Sequence, residues 1–439
     1  MTFSTDQPIA LCWLRRDLRL DDNAALYHAL KSGHPVLAVF IFDRIILDPL
    51  SDRHDRRVAF IHQQIHALQD QLTQLGSTLL VYYGEPLPIW KQIMQAMPLA
   101  GVYTNADYET YAKERDQQVQ QLLAEQGIGF HAYKDQTIFD TDEVLTDAKK
   151  PYSVFGAYQR KWKANLTDFY VRSYPTQNYF NSFYKTAAQA IPSLASMKFK
   201  PVNESFPATQ VSDQLLEHYA KNRDKPALEG TTQLSIHLRF GTISIRQLVR
   251  QAQAHSERFL TELIWRDFYF QILDHFPHVE HKPFRPNYEA VPWLNREEDI
   301  ERWQQGMTGY PLVDAGMRQL NQVGWMHNRA RLNAASFCIK HLLIDWRIGE
   351  AYFAQKLRDY DLAANNGNWQ WVAGSGNDAS PFFRVFNPVS QAKTFDPKEA
   401  YIREWIPEYG TPDYPKPMIE HTFARQRAID TYRKALNRT

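Results

Sequence analysis

The 439-residue chain has only two cysteines, Cys12 and Cys338, each in an apolar run. That is too few for a disulfide framework or a cysteine-based zinc site, and it suits a reducing cytoplasm. No apolar run approaches the roughly eighteen residues of a membrane span. The opening "MTFSTDQPIA" lacks the basic and apolar stretches of a secretory signal. Also missing are GxGxxG after the first strand-like run, GxxxxGK[ST], HExxH, paired CxxC and GxSxG. Their absence removes the usual signatures of dinucleotide, P-loop, zinc-protease and α/β-hydrolase chemistry. A calcium loop starting at Asp359 fails at its sixth and twelfth places, Ala364 and Gln370, so no metal is expected.

Aromatic residues are plentiful at 13%, and eight of the eleven tryptophans lie between Trp265 and Trp405. The net charge of +1 conceals an asymmetry. Residues 1–150 hold 14 basic against 20 acidic side chains, a balance of −6, whereas the remainder holds 36 against 29, a balance of +7. A polyanionic partner would therefore meet the C-terminal part.

At this length two or three domains are expected. Over residues 1–135, β-rich apolar runs ("IALCWL", "VLAVFIF", "TLLVYY", "GVYT", "GFHAY") alternate with helix-period segments, such as 54–75 ended by Gly76. Strands apolar on both faces and separated by helices predict a Rossmann-like α/β domain, a doubly wound parallel sheet of five strands. Residues 136–202 are broken by Pro151, Pro175, Pro192 and Pro201 and hold one dense aromatic patch, "PYSVFGAYQRKW" (151–162). They read as an interdomain linker. From 203 to 439 helical periodicity returns without β-rich runs, so this domain is expected to be all α.

Three constellations carry chemistry. In "ELIWRDFY" (262–269), Glu262, Trp265, Arg266 and Tyr269 share one helix face. The ordinary reading there is a surface Glu262–Arg266 pair. In "MHNRARLNAASFCIKHLLIDW" (326–346), Asn328, Arg331, Leu332 and Ala335 share a face of a helix whose apolar run 337–344 marks it as buried. A buried arginine needs a partner, and "DYDLAANNGNWQW" (359–371) offers Asp359 and Asp361 among three asparagines and two tryptophans. In "GTTQLSIHLRFG" (230–241), Thr231, Thr232 and Ser235 precede a helical run, which suits a diphosphate or a plain helix cap. Together these describe an aromatic-lined polar pocket, a phosphate-binding turn and a positive surface, fit for a flat heteroaromatic cofactor.

Along nearly its whole length the sequence resembles the photolyase/cryptochrome family. The matching signatures, in order, are "WLRRDLRLDDNAAL" (13–26), "ELIWRDFY", "GYPLVDAGMRQLNQVGWMHNRAR" (309–331), "LIDWRIGE" (343–350) and "DYDLAANNGNWQWVAGSGNDASPFFRVFNPVSQ" (359–391). The resemblance implies an α/β antenna domain (1–135), a draped linker (136–202) and an all-helical domain (203–439) that holds FAD. Tyr219 and the turn Thr231, Thr232, Gln233, Leu234 and Ser235 match positions on the diphosphate and adenosine side. Arg331 and Asp359 match an ion pair beside the flavin ring, with Asp361 near its polar edge and Asn365 facing N5. Arg266, Asn328 and Tyr360 belong to the same cofactor shell. Trp369, Trp346 and Trp293 match an electron relay that runs from flavin to surface.

Within the family, the pattern resembles the class I cyclobutane pyrimidine dimer repair enzymes. Glu262, Trp265 and Trp371 match their substrate pocket, with Tyr269, Asn328, Leu332 and Gln391 around it. Arg223, Arg329 and Arg384 match their DNA contacts. The two histidines of the (6-4) photoproduct enzymes are replaced by Asn328 and Leu332, and Trp265 departs from the tyrosine of the DASH group. Leu332 stands where the class usually has methionine. The implied activity is light-driven repair of UV-damaged DNA, by electron transfer from reduced FAD to a flipped-out dimer, in a monomeric cytoplasmic enzyme. A cryptochrome photoreceptor on the same fold is the alternative. For an antenna chromophore, Tyr111-Ala112 replaces the Asn-Glu of folate-binding relatives, and Glu280 replaces their lysine. "DYETYAKERD" (107–116) is closer to deazaflavin-binding relatives. 5,10-Methenyltetrahydrofolate, 8-hydroxy-5-deazaflavin and an empty site all stay open.

Overall fold

A computed structural model gives the architecture of residues 7–436. The five apolar runs form strands β1 (Ile9–Leu14), β2 (Val36–Asp43), β3 (Leu79–Gly84), β4 (Leu99–Asn105) and β5 (Gly129–Tyr133). All pairs are parallel, in the order β3-β2-β1-β4-β5. Every residue of β1 and β2 is buried because each strand serves two cores. Ala10, Cys12 and Leu14 enter one, and Ile9, Leu11 and Trp13 the other. The helix Arg56–Gln74 starts on Asp55, whose carboxylate accepts the Arg57 and Val58 N–H groups, and the chain leaves it through Gly76 at φ +71°.

The chain divides into two compact units whose limits cut across the boundaries at 135 and 202. One runs through Glu143 and adds 164–210 and 233–254; the other takes 144–163, 211–232 and His255 onward. The stretch 136–202 is thus shared out, and 233–254 belongs with the sheet. Buried charge is one reason. Arg246 places its guanidinium 2.8 Å from Asp22 and 2.7 Å from Asp135, and Arg19 reaches Asp135 at 2.6 Å. An unpaired charge in so enclosed a place would cost on the order of several kcal/mol.

The second unit is helical, and Trp303, Phe337, Ile339, Trp369, Tyr401 and Tyr432 are buried in its core. The stretch 326–346, expected as one helix, is in fact broken. Helix Asn328–Ser336 passes into a π-turn at Phe337–His341, where the Leu342 N–H reaches Phe337 O at 3.1 Å, and Leu343 then takes φ +53°. A new helix, Trp346–Lys356, starts on Asp345, whose side chain accepts the Arg347 N–H. The break lets Arg331 and Trp346, close in sequence, sit on differently directed helices. Among the described residues no helix is long and apolar enough to cross a membrane.

Candidate functional site

A cavity of about 120 Å³ lies in the helical unit, about ten times what one water requires. Eight residues singled out in the sequence line it together: Asn328, Arg331, Leu332, Asp359, Tyr360, Asp361, Asn365 and Trp369. Helix Leu362–Ala373 supplies one wall. It opens on Asp361, whose carboxylate accepts the Ala364 N–H at 3.3 Å, and ends at Gly374 with φ +88°. Asp361 therefore caps a helix as well as lining the cavity. Of the two acids offered to Arg331, Asp359 is the partner: Arg331 Nη2 lies 2.8 Å from Asp359 Oδ2, and Arg331 Nε donates to Met326 O at 2.7 Å. Asn328 corrects the sequence reading. It is exposed and not buried, because it begins its helix just after the capping residue His327.

Asn365 Nδ2 donates to Glu350, to Oε1 at 2.8 Å and to the backbone oxygen at 3.2 Å. That commits the amide nitrogen and leaves Oδ1 as an acceptor for a ligand. Burial pushes the Glu350 carboxyl above its ordinary range, against the lowering effect of the Asn365 bond.

Trp369, 3% exposed, meets Phe353 edge-on at 5.0 Å and Trp303 at 6.2 Å. It also lies flat on Gly349, where a Cβ would stand 2.2 Å from its Cη2. Gly349→Ala should therefore cost about 1–3 kcal/mol of stability in urea unfolding, since overpacking outweighs the gain in helix propensity of about 1 kcal/mol. An unchanged midpoint would mean the ring shifts freely. Trp346 is also 3% exposed, whereas Trp293 is half-buried against Tyr432 at 5.9 Å. The Leu294 N–H bonds Leu343 O at 2.8 Å, which brings the segment bearing Trp293 beside the one leading to Trp346. Trp369 and Trp346 are thus both buried, and Trp293 is partly open.

The helix Glu257–His275 carries the other group. Trp265 stacks on Phe155 with centroids 3.5 Å apart and planes 6° from parallel, and it meets Tyr269 at 5.5 Å. Tyr269 rests on Gly367 of the cavity helix, where a Cβ would lie 2.3 Å from its Cδ1. Arg266 lies over the Phe270 ring at 4.7 Å. Glu262 pairs with Arg223 and, at 3.2 Å, with Arg258. Arg329 grips Asp224 with two bonds of 3.0 and 2.8 Å and lies over Phe395. Arg384 is exposed, 6.0 Å from the half-buried Trp371 ring, and Gln391 is half-buried in helix Pro388–Phe395. Tyr219 is buried, with the Arg223 guanidinium 5.4 Å from its ring. In the 231–235 turn Gln233 takes φ +49°, and the cap of helix Ser235–Phe240 is Leu234, without a side-chain capping bond.

Sequence reasoning missed Phe155, Asp224, Arg258 and Glu350. Phe155 carried a signal, since it belongs to the one dense aromatic patch of 151–162, and Arg258 carried another, since it stands four residues before Glu262 on the same helix.

A second cavity, of about 140 Å³, lies in the sheet unit at the carboxyl ends of β1 and β2. Trp13, Asp43, Tyr111, Ala112 and Arg115 help line it, and the Tyr111 hydroxyl donates to Asp43 at 2.5 Å. Its guanidiniums already have carboxylates: Arg16 has Asp107 at 3.1 Å, Arg239 has Glu109 at 2.5 Å, and Arg15 and Arg115 share Asp116.

Residues 10–178 match the family model described as DNA photolyase, and residues 259–412 match the FAD binding domain of DNA photolyase. The chain is 38% identical over 461 aligned residues to the Deoxyribodipyrimidine photo-lyase of Synechococcus sp., covering 95% of each. Its fold superposes on a class III photolyase from Agrobacterium tumefaciens with a TM-score of 0.87, at 30% identity over the whole of both chains. A Synechocystis cryptochrome superposes with a TM-score of 0.83, at 26% identity, over 98% of this chain and 100% of that one.

Proposed function

Because the chain belongs to the DNA photolyase family, we propose that it repairs cyclobutane pyrimidine dimers in UV-damaged DNA, with FAD held in the helical unit. One observation carries the reading. The helix Leu362–Ala373 lines the cavity with Asn365 and Trp369 and also seats Tyr269, hence Trp265, against it. The donor set suits a flavin: an acceptor at Asn365 Oδ1 for a ring N–H, a guanidinium steadied by Asp359 for charge gained on reduction, and an indole wall.

FAD, when bound and reduced, supplies a light-driven one-electron donor. The chain's own residues do the rest. Trp265, backed by Phe155, and Trp371 give flat walls to a dinucleotide taken out of the stack. Glu262 offers its carboxyl group to the dimer carbonyls. Arg384 and Arg329 hold backbone phosphates, while Tyr219 and residues 231–235 serve the diphosphate and adenosine side. Trp293, Trp346 and Trp369 pass electrons inward. The protein acts as a cytoplasmic monomer in this reading.

Blue light, and not darkness, should make the purified protein remove thymine dimers from duplex DNA. Dimers that persist in the light would favour a photoreceptor, the reading that the Synechocystis likeness keeps alive. Arg384→Ala should weaken binding to damaged duplex and flatten the slope of log K against log salt by about 0.9, one phosphate's worth. A slope equal to the wild type's removes Arg384 from the interface. An absorption spectrum of protein from its own host separates a folate from a deazaflavin in the sheet-side cavity.

A further inference from the structure

Arg223 closes helix Asp213–Asn222, and its side chain, 10% exposed, is more enclosed than Arg329 at 27% or the open Arg384. Its guanidinium is engaged inward. It bonds Glu262, and its Nε lies 3.4 Å from Asp224. The acids are the open side of this cluster, Glu262 at 30% exposure and Asp224 at 37%. Arg258 stands on the far side of Glu262 and Arg329 on the far side of Asp224, so three guanidiniums face two carboxylates. Burial alone would raise the Asp224 carboxyl, yet Arg329 and Arg223 hold it below its ordinary value. The free protein thus ties Glu262, assigned to the lesion in the reading above, to Arg223, which the family resemblance matches to a DNA contact.

We propose that Arg223 is a two-position residue: it pairs with Glu262 in the free protein, turns to a DNA phosphate on binding, and so releases Glu262 to the flipped-out dinucleotide. The inference rests on the repair reading above. A phosphate accepts a guanidinium fork as well as a carboxylate does, and it adds the release of condensed counter-ions. Glu262 is not stranded by the exchange, because Arg258 remains beside it. Arg223 is therefore a positioning residue whose movement joins backbone engagement to assembly of the lesion site. Undamaged DNA offers Glu262 no dimer, so it bears the loss of the pair without the compensating contact.

Undamaged duplex consequently isolates the exchange. With full-length, FAD-loaded protein, Glu262→Gln should raise affinity for undamaged duplex about three- to fivefold, the upper part of the range for a partly exposed ion pair. In an Arg223→Gln background the same substitution should change affinity by less than about twofold. Arg223→Gln alone should reduce the salt slope by about 0.9. If Arg223→Gln fails to retain FAD, Arg223→Lys, which loses the fork, takes its place in the cycle. A gain from Glu262→Gln that is equal in both backgrounds, or absent from both while the wild type binds with a steep salt slope, overturns the proposal. Wild-type protein with no salt-dependent binding would overturn the repair reading and the proposal with it.

Discussion

Trp369→Phe should abolish light-driven reduction of oxidised FAD while leaving repair by chemically reduced protein intact. Phenylalanine is far harder to oxidise than tryptophan, so an electron arriving by way of Trp346 finds no acceptor beside the cavity that Trp369 lines. Repair is spared because that electron goes from flavin to dimer and never through position 369. The substitution leaves an aromatic ring between Gly349, Phe353 and Trp303, so the packing loss is on the order of 1–2 kcal/mol. If Trp369 only packs, photoreduction persists and FAD retention falls instead. Both quantities are read on one preparation, and persistent photoreduction at normal FAD content sinks the relay role.

Lys340→Met should remove one pH dependence of stability. Lys340 is 1% exposed in the helical core, donates to Ala373 O at 3.1 Å and Phe382 O at 3.3 Å, and stands 3.7 Å from the centre of the Tyr432 ring. Burial pushes it down from 10.5 to about 7. In the unfolded chain the lysine keeps its proton up to about pH 10.5, whereas in the folded protein it loses the proton near 7. Between those values the unfolded state binds more protons, so this group makes stability rise with pH, by at most about 1.4 kcal/mol per unit. Below about pH 6 both states are protonated and the dependence vanishes. The stability difference between wild type and variant in urea should therefore be flat below pH 6 and grow by about 2 kcal/mol from pH 7.5 to 9.5. A difference that stays constant across that interval would refute the assignment.

The sheet was legible because β1 is apolar throughout and β2 is apolar up to its last residue, Asp43, a pattern that a two-sided environment explains. The Arg331–Asp359 pair was legible too, since a buried arginine needs a carboxylate and the 359–371 stretch had two to offer. The π-turn at 337–341 was not legible, because an unbroken apolar run looks the same in a helix and in a turn wholly inside the core. Glu350 and Asp224 were invisible for another reason. What matters in each is the side chain it meets, and Asn365 and Arg329 lie 15 and 105 positions away from Glu350 and Asp224. For Arg223 the sequence offered only a match to a family DNA contact, and its grip on Glu262 needed coordinates.

The interleaving of the two units constrains how the protein can be made and rearranged. The chain passes from one unit to the other five times. During synthesis, Asp22 and Asp135 leave the ribosome more than a hundred residues ahead of Arg246, so Arg246 cannot join Asp22, or add to Arg19 at Asp135, until residues of both units have emerged. Truncation at 135 or 202 would leave Asp22 without Arg246 and Asp135 with Arg19 alone. For the same reason a sheet unit cannot be exchanged between relatives by one crossover in the gene: a graft has to carry three separate segments, and one that omits 233–254 brings the acids without their cation.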